Sequence, residues 1–535
     1  MTHHSSARPK ARRNPRKGYP GVRRARGLAG LAFASAAVLT LAGCSPQAGD
    51  STSPGGATAA VAQGSIEGVA AEGVDAFLGL PYAAPPVDDL RFKAPEPPEA
   101  WEGTKKADAF GPACLQGGEV VGVEKSEDCL YLNVYRPSGV DADAELPVMM
   151  WIHGGGFGGG SGALFDPSEF VERTNTVVVN INYRLGALGY LASESMGADA
   201  GSFGLLDQVA ALDWVNENIA AFGGDPARVT AAGQSAGAMS ICGLLTSPET
   251  TGMLSGAILQ SGSCAFRAFT PFEAAVEAGN TTAAEIGCPA GAAQLECLQG
   301  LDAEVLMETP GRFSPTFGSD VLPAMPMDAI EAGDWDAIPV LAGSNRWEGK
   351  QGIFFSVGPD AGSMTAEEYE ARVRETYAEK ADDVLQRYPA GDYDQPALAL
   401  AAIDTDSTFG CSTFTFAEGA ADQATIYAYE FEDPTSPTNA GMALDGIDMS
   451  SAHSAELAYL FDYAEVERPL TGEEKELGYR MMDYWAEFLT SGTLGSPWVA
   501  FTAEAPTFIK LTPEGEKPFE DFATEHQCEF WASMS

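Results

Sequence analysis

The stretch VTAAGQSAGAMS, Val229 to Ser240, sets Ser235 between Gly233 and Gly237 at the end of an apolar run. A lone G-x-S-x-G is a weak signal among 60 glycines in 535 residues, so its meaning depends on what else the chain supplies. A serine hydroxyl attacks a carbonyl only once a base takes its proton, which calls for a histidine. The chain has five. His3 and His4 fall in the N-terminal basic segment, and His526 lies in a polar stretch where a solvated side chain is expected. His153 opens HGGGF, whose neighbours look like hydrogen-bond donors rather than the surroundings of a base. His453, in SSAHSAELAYLF, is left as the base by elimination and by chain order.

Acyl transfer also needs donors for the developing oxyanion and an acid to orient the imidazole. In Gly154-Gly155-Gly156 no Cβ blocks a substrate oxygen, so this run and the N–H of Ala236 can supply the donors. The acid should stand between Ser235 and His453, at the end of another strand. Seventy-five carboxylates leave that role open from composition. Glu348, just after the apolar run Ile338 to Gly343, is one candidate in the right setting. No step of this chemistry calls for a metal or an organic cofactor.

Positioning such groups requires a rigid sheet. Apolar runs of strand length recur as LYLNVYRP, PVMMWIHGG, TVVVNINYR, RVTAAGQ, GAILQSG, IPVLAGSN and TIYAYEFE. Helical patterns lie between several of them. Leu205 to Phe222 is one, with Leu206, Val209, Leu212, Trp214 and Ile219 on an apolar side, and a helix is expected to begin near Ala236. The alternation predicts an α/β fold with a large, mostly parallel sheet covered by helices on both faces. Ser235 then sits where a strand gives way to a helix, the context a nucleophile elbow requires.

Nine of the 31 basic residues lie before Cys44, in a segment without Asp or Glu that runs into an apolar core ending in Leu41-Ala42-Gly43-Cys44. This reads as a secretory signal over 1–43, and its end resembles a bacterial lipobox with Cys44 as the lipidated residue. The expectation is an exported protein, lipid-anchored at the outer face of the bacterial cell membrane or secreted. Composition assigns 44–64 to a flexible tether and 65–535 to one folded domain. Without the signal, 22 basic residues face 75 acidic ones, a net charge of −53. That charge opposes binding to nucleic acid or to an anionic membrane, so membrane contact is expected only through the anchor. Eight cysteines remain after Cys44, an even number that suggests disulfides, and Cys114 with Cys129 and Cys288 with Cys297 would close short loops.

FGGDPARVTAAGQSAG and EDCLYLNVYRP resemble the two signatures of the type-B carboxylesterase/lipase family, α/β-hydrolases that include the cholinesterases. FLGLPYAAPPVDDLRF, WIHGGGF, NYRLGALGYL, LQSGS, GSNRWEG and HSAEL follow in family order, so the resemblance spans 65 to 535. It implies a Ser-Glu-His triad of Ser235, Glu348 and His453, with an oxyanion hole from Gly155, Gly156 and Ala236. It also implies closure of Cys114–Cys129 and Cys288–Cys297, and pairing of Cys411 with Cys528. Cys242 and Cys264 could form a fourth pair by remainder, and whether they do is left open. Arg91 with Glu127 and Arg184 with Asp207 resemble the family's buried structural ion pairs.

Departures from the family bear on the substrate. Gln234 stands where cholinesterases carry glutamate, and the loop Cys114 to Cys129 contains no tryptophan. Both supports of choline binding are missing, so a neutral small-molecule ester is expected. Phe157, Trp347, Phe354 and Phe355 are candidates for an apolar acyl or alcohol pocket, although each also fits an ordinary core position, and Gln234 is expected to line the same substrate pocket. Lipase, amidase and polyester or xenobiotic hydrolase activities remain open. A binding module on this fold, of the neuroligin-like kind, is the rival class; such proteins lack the nucleophile, and all three triad positions are filled here.

Overall fold

A computed structural model describes residues 57–71 and 73–534. The signal and lipobox assigned to 1–44 lie outside the described residues. Thirteen strands form one sheet. They are β1 (Thr58–Val61), β2 (Gly64–Ala70), β3 (Val74–Pro81), β4 (Thr104–Ala107), β5 (Tyr131–Pro137), β6 (Leu146–Ile152) and β7 (Val177–Ile181). The remainder are β8 (Gly224–Gln234), β9 (Gly256–Gln260), β10 (Val340–Asn345), β11 (Ile426–Phe431), β12 (Phe508–Thr512) and β13 (Gly515–Phe519). Their order is β1-β2-β3-β5-β7-β6-β8-β9-β10-β11-β12-β13, with β4 beside β2. The strands from β7 to β12 run parallel, and antiparallel strands close both edges.

Each apolar run read from the sequence is a strand of this sheet. The edge differs from expectation: β1 lies inside 44–64, the stretch assigned to a tether. Thr58-Ala59-Ala60-Val61 is compositionally bland, yet its backbone pairs with β2 from Thr58↔Glu67 to Val61↔Gly64. The ordered domain therefore begins before Ser65.

The helices that matter for the site are α1 (Phe203–Asn218), α2 (Ala236–Thr246), α3 (Gly349–Ser356), α4 (Pro396–Asp404), α5 (Cys411–Ala420), α6 (Gly472–Ser491) and α7 (Cys528–Met534). Strand β6 shows why the sheet needs cover on two sides. Val148, Met150 and Ile152 pack with Leu205, Val209 and Leu212 of α1 and Ile241 and Leu244 of α2. The alternate residues Met149 and Trp151 pack with Leu477, Met481, Trp485 and Phe488 of α6. A period-two strand buried on both faces reads as an unbroken apolar run, as LPVMMWI does. Every residue of α2 is buried, which explains its lack of a polar stripe. Helix α6 starts at a capping box in which Glu474 accepts the Thr471 N–H at 2.7 Å, and it stops at left-handed Gly492.

Among the described residues four disulfides join Cys114–Cys129, Cys242–Cys264, Cys288–Cys297 and Cys411–Cys528. Arg184 and Asp207 make a bidentate buried pair at 2.6 and 2.8 Å, and Arg91 grips Glu127 at 2.6 and 2.7 Å. Truncating one partner of the Arg184 pair would strand the other charge in the core. From β6 the chain crosses to β7 on one side and returns as β8 on the other, so the sheet's switch point lies between β6 and β8. Ligand sites of open α/β sheets form beyond the carboxyl ends of strands at such a point.

Candidate active site

The carboxyl ends of β6 and β8 carry His153-Gly154-Gly155-Gly156 and Ser235. Ser235 lies between the last residue of β8 and the first of α2, at φ 55° and ψ −123°. A non-glycine residue held at positive φ is strained, and such outliers cluster at functional sites. The flanking glycines are required by contact. A Cβ on Gly237 would stand 2.0 Å from the Ile152 carbonyl oxygen, and one on Gly233 would stand 2.8 Å from it. Helix, elbow and β6 therefore approach closely only without side chains at both positions. The Ser235 N–H donates to Gln260 O at 2.8 Å, which holds the turn to β9.

Gly154 abuts this turn, since a Cβ there would lie 2.5 Å from Gln234 Oε1 and 3.1 Å from Ser235 Cβ. Gly155 has φ +108° and Gly156 φ +61°. Among the described residues the N–H groups of these two glycines donate to no acceptor, and Ala236, as the first residue of α2, has no acceptor within its helix. His153 is buried and stacks on Tyr183 with ring centroids 4.4 Å apart. Its burial lowers its pKa to about 4 despite the Gly154 carbonyl contact at 2.8 Å, so the ring is neutral.

Glu348 and His453 meet beyond the ends of β10 and β11. His453 Nδ1 and Glu348 Oε2 are 2.6 Å apart, and Glu348 Oε1 accepts the Asn345 N–H at 2.6 Å. The Trp347 N–H donates to Ser451 O at 2.9 Å and Asn345 Nδ2 to Ala452 O at 2.8 Å, so the loop bearing His453 is fastened to the end of β10. His453 is 9 % exposed and Glu348 1 %. Burial alone would lower the His453 pKa, but the Glu348 charge and hydrogen bond, with Glu456 and Asp404 behind them, raise it. Glu456 was not singled out from the sequence. It accepts from Asn345 Nδ2 at 2.5 Å and from Gln260 Nε2 at 3.2 Å. Burial, then repulsion from Glu348, pushes its carboxyl up to about 7.

Gln234 is 3 % exposed and does not line the cavity beside Ser235, contrary to its expected place in a substrate pocket. Its Nε2 lies 3.1 Å from His453 Nε2 and donates to Ser454 Oγ at 3.0 Å. With Nδ1–H directed to Glu348, Nε2 is the acceptor of that amide. The alternation of β8 decides this: Gln234 is the last strand residue and faces the histidine loop, leaving Ser235 to the turn.

The cavity at Ser235 has a volume of about 170 Å³ and is bounded by Phe157, Ala236, Met239, Phe266, Phe313 and Phe409, among others. Of the aromatics expected there, only Phe157 contributes. Trp347, just before α3, and Phe354 within it pack at the edge of a separate cluster that includes Ala397 to Ile403 of α4, and Phe355 on α3 is 69 % exposed. Met239, one helical turn after Ser235, was findable from the i, i+4 spacing. Phe266, Phe313 and Phe409 come from loops and a π-helical turn (Thr405–Gly410), where no periodicity marks a facing.

His526 also departs from expectation. It is fully buried, with Nδ1 2.7 Å from Asp406 Oδ1 and Nε2 2.7 Å from Glu430 Oε1. Burial disfavours its charged form, but the two hydrogen-bonded carboxylates prevail and raise its pKa to about 9. The polar stretch around it is the short link between Phe522–Glu525 and α7, which folds back over β11 and carries the ring inward.

This geometry has close counterparts. The chain is 35% identical over 486 residues to the para-nitrobenzyl esterase of Bacillus subtilis (strain 168), covering 84% of this chain and 94% of that one. It is 40% identical over 363 residues to the fumonisin B1 esterase of Sphingopyxis macrogoltabida, 65% of each chain. A solved PNB esterase structure superposes with a TM-score of 0.75 at 31% identity over 88% of this chain and 98% of that one. The profile of the carboxylesterase family matches residues 56–531, and with an α/β-hydrolase sheet around an elbow serine this chain belongs to that family and is a carboxylic ester hydrolase.

Proposed function

We propose that the protein is a serine carboxylesterase working through an acyl-enzyme. Ser235 attacks the ester carbonyl while His453 Nε2 takes its proton, and Glu348 fixes the imidazole and supports its charge. The carbonyl oxygen becomes an oxyanion facing the N–H groups of Gly155, Gly156 and Ala236. The imidazolium then protonates the leaving alcohol, and a water activated by the same nitrogen releases the acid. For the first proton transfer Ser235 Oγ must replace the Gln234 amide at Nε2, a side-chain rotation that leaves the Glu348 contact in place.

The observation that carries this reading is the 2.6 Å His453–Glu348 contact beside a strained serine that opens on an apolar cavity. The group held against Ser235 packs on Phe157, Met239, Phe266, Phe313 and Phe409, which suits an apolar acyl or alcohol portion of the ester. Purified protein should hydrolyse p-nitrophenyl butyrate, and Ser235→Ala should lower kcat by roughly 10⁶-fold. A variant with full activity, or a wild type that resists a fluorophosphonate probe, overturns the assignment.

We propose further that the chain is exported and anchored by lipid on Cys44. Support comes from the basic head, apolar core and LAGC ending, and from four disulfides, which persist in oxidising compartments. Wild type should enter the detergent phase and Cys44→Ser the aqueous phase; equal partitioning removes the anchor.

A further inference from the structure

A cleft of about 1210 Å³ adjoins the small cavity at Ser235, and Phe266 and Arg312 line both. Arg267 joins Arg312 on the cleft wall, with Phe269 and Phe317 as apolar surface. Both arginines are exposed, and among the described residues neither donates a hydrogen bond nor has a carboxylate within 4.0 Å. Every other described arginine does one or the other. In a chain so rich in carboxylates a paired arginine is the ordinary outcome. Two unpaired guanidiniums on one wall, beside the nucleophile, are not.

The remaining charges of the cleft do not account for them. Lys380 is engaged with the Met534 carbonyl at 2.5 Å, and the carboxylates Asp328 and Glu331 both belong to the helix Pro326–Ala332. A net charge of −44 repels an approaching anion, so an anionic ligand needs a local reversal of that field. A guanidinium supplies it with a planar fork that matches a carboxylate by two parallel hydrogen bonds. The segment bearing Phe266 and Arg267 is held at both ends, by the Cys242–Cys264 bond to α2 and by pairing of Thr270 with Thr316. The part of the wall that carries Arg267 is thus anchored at both ends.

We propose that Arg267 and Arg312 receive a carboxylate carried by the ester at the end remote from its scissile bond. The substrate class is then an amphipathic anionic ester, such as a half-ester of a long dicarboxylic acid or an acyl ester of a hydroxy acid. This rests on the Ser235 reading and refines it: the substrate is apolar where the small cavity holds it and anionic at its far end.

The test compares kcat/KM within two substrate pairs. One is mono-4-nitrophenyl suberate against its methyl-capped diester, read by nitrophenolate release. The other is 8-butyryloxyoctanoate against its methyl ester, read by butyrate release. Wild type should favour the carboxylate by about tenfold in at least one pair, the scale of a charge-assisted hydrogen bond, and the preference should shrink with added salt. In the double variant Arg267→Gln, Arg312→Gln the ratio should fall to parity or below, whichever way the capped ester moves. No preference in either pair overturns the proposal, and a preference that survives the double variant overturns its assignment to these arginines. Because Ser235→Ala is scored separately on p-nitrophenyl butyrate, a failure here stays distinct from a failure of the esterase reading.

Discussion

His453 has Glu348 on Nδ1 and the Gln234 amide on Nε2, whereas His526 has Asp406 on Nδ1 and Glu430 on Nε2. Both rings are buried, and carboxylates raise the pKa of each. The difference lies in the second nitrogen. A neutral amide can be exchanged for a serine hydroxyl at little electrostatic cost, so in the proposed mechanism His453 keeps a basic lone pair for proton transfer. Two carboxylates instead fix His526 as a cation with no lone pair to offer, and the ring becomes a structural crosslink between the π-helical turn and β11. Burial and a carboxylate partner therefore do not make a histidine a base; the group on the far nitrogen decides.

The widest separation between the two should come from deletion. His453→Ala should lower kcat by roughly 10⁶-fold with a smaller loss of stability, since only Glu348 loses a partner and keeps the Asn345 N–H. His526→Ala should do the reverse, costing about 3–5 kcal/mol of stability because Asp406 and Glu430 are left buried without their cation. Urea titration beside active-site counting with a fluorophosphonate reads both. Large activity loss in folded His526→Ala would break the contrast.

Next in size is a pH effect on stability. The folded pKa of His526, about 9, exceeds its unfolded value of 6.5, so its contribution is fully present below 6.5 and is lost as pH rises through about 9. Wild type should lose stability over that window, and His526→Gln should lose less. Parallel curves for the two proteins would count against a buried imidazolium.

Two smaller changes move His453 toward or away from its counterpart. Gln234→Glu places a carboxylate on both nitrogens, so the acid limb of kcat/KM should move to higher pH, with roughly a few-fold loss near neutrality. Glu456→Gln removes a charge that raises the His453 pKa, so the acid limb should move to lower pH. Opposite shifts sharpen the comparison; shifts of the same sign would refute it.

The places of Ser235, Glu348 and His453 at strand ends were legible because strand runs, the glycines around Ser235 and family motifs each leave local traces. The parallel strands from β7 to β12 were legible for the same reason, since residues buried on both faces spell continuous apolar words. What escaped depends on non-local partners. Nothing near His526 in sequence announces Asp406 or Glu430, which lie 120 and 96 residues away. Glu456 is three residues from His453, but its meaning comes from Asn345 and Gln260. Phe355 has a helical neighbourhood that suits either facing, and only the seating of α3 against α4 turns it outward. β1 was missed because edge pairing is a backbone matter that small side chains do not signal.

The Cys242–Cys264 bond has a consequence for redesign. With α2 fastened at one end and the Thr270–Thr316 pairing at the other, residues 265–269 form a cassette with fixed endpoints. Substitutions or same-length grafts within it can change what the cleft accepts without reopening the geometry of the elbow. A library confined to those five positions would vary the walls of both cavities while the two anchors stay in place.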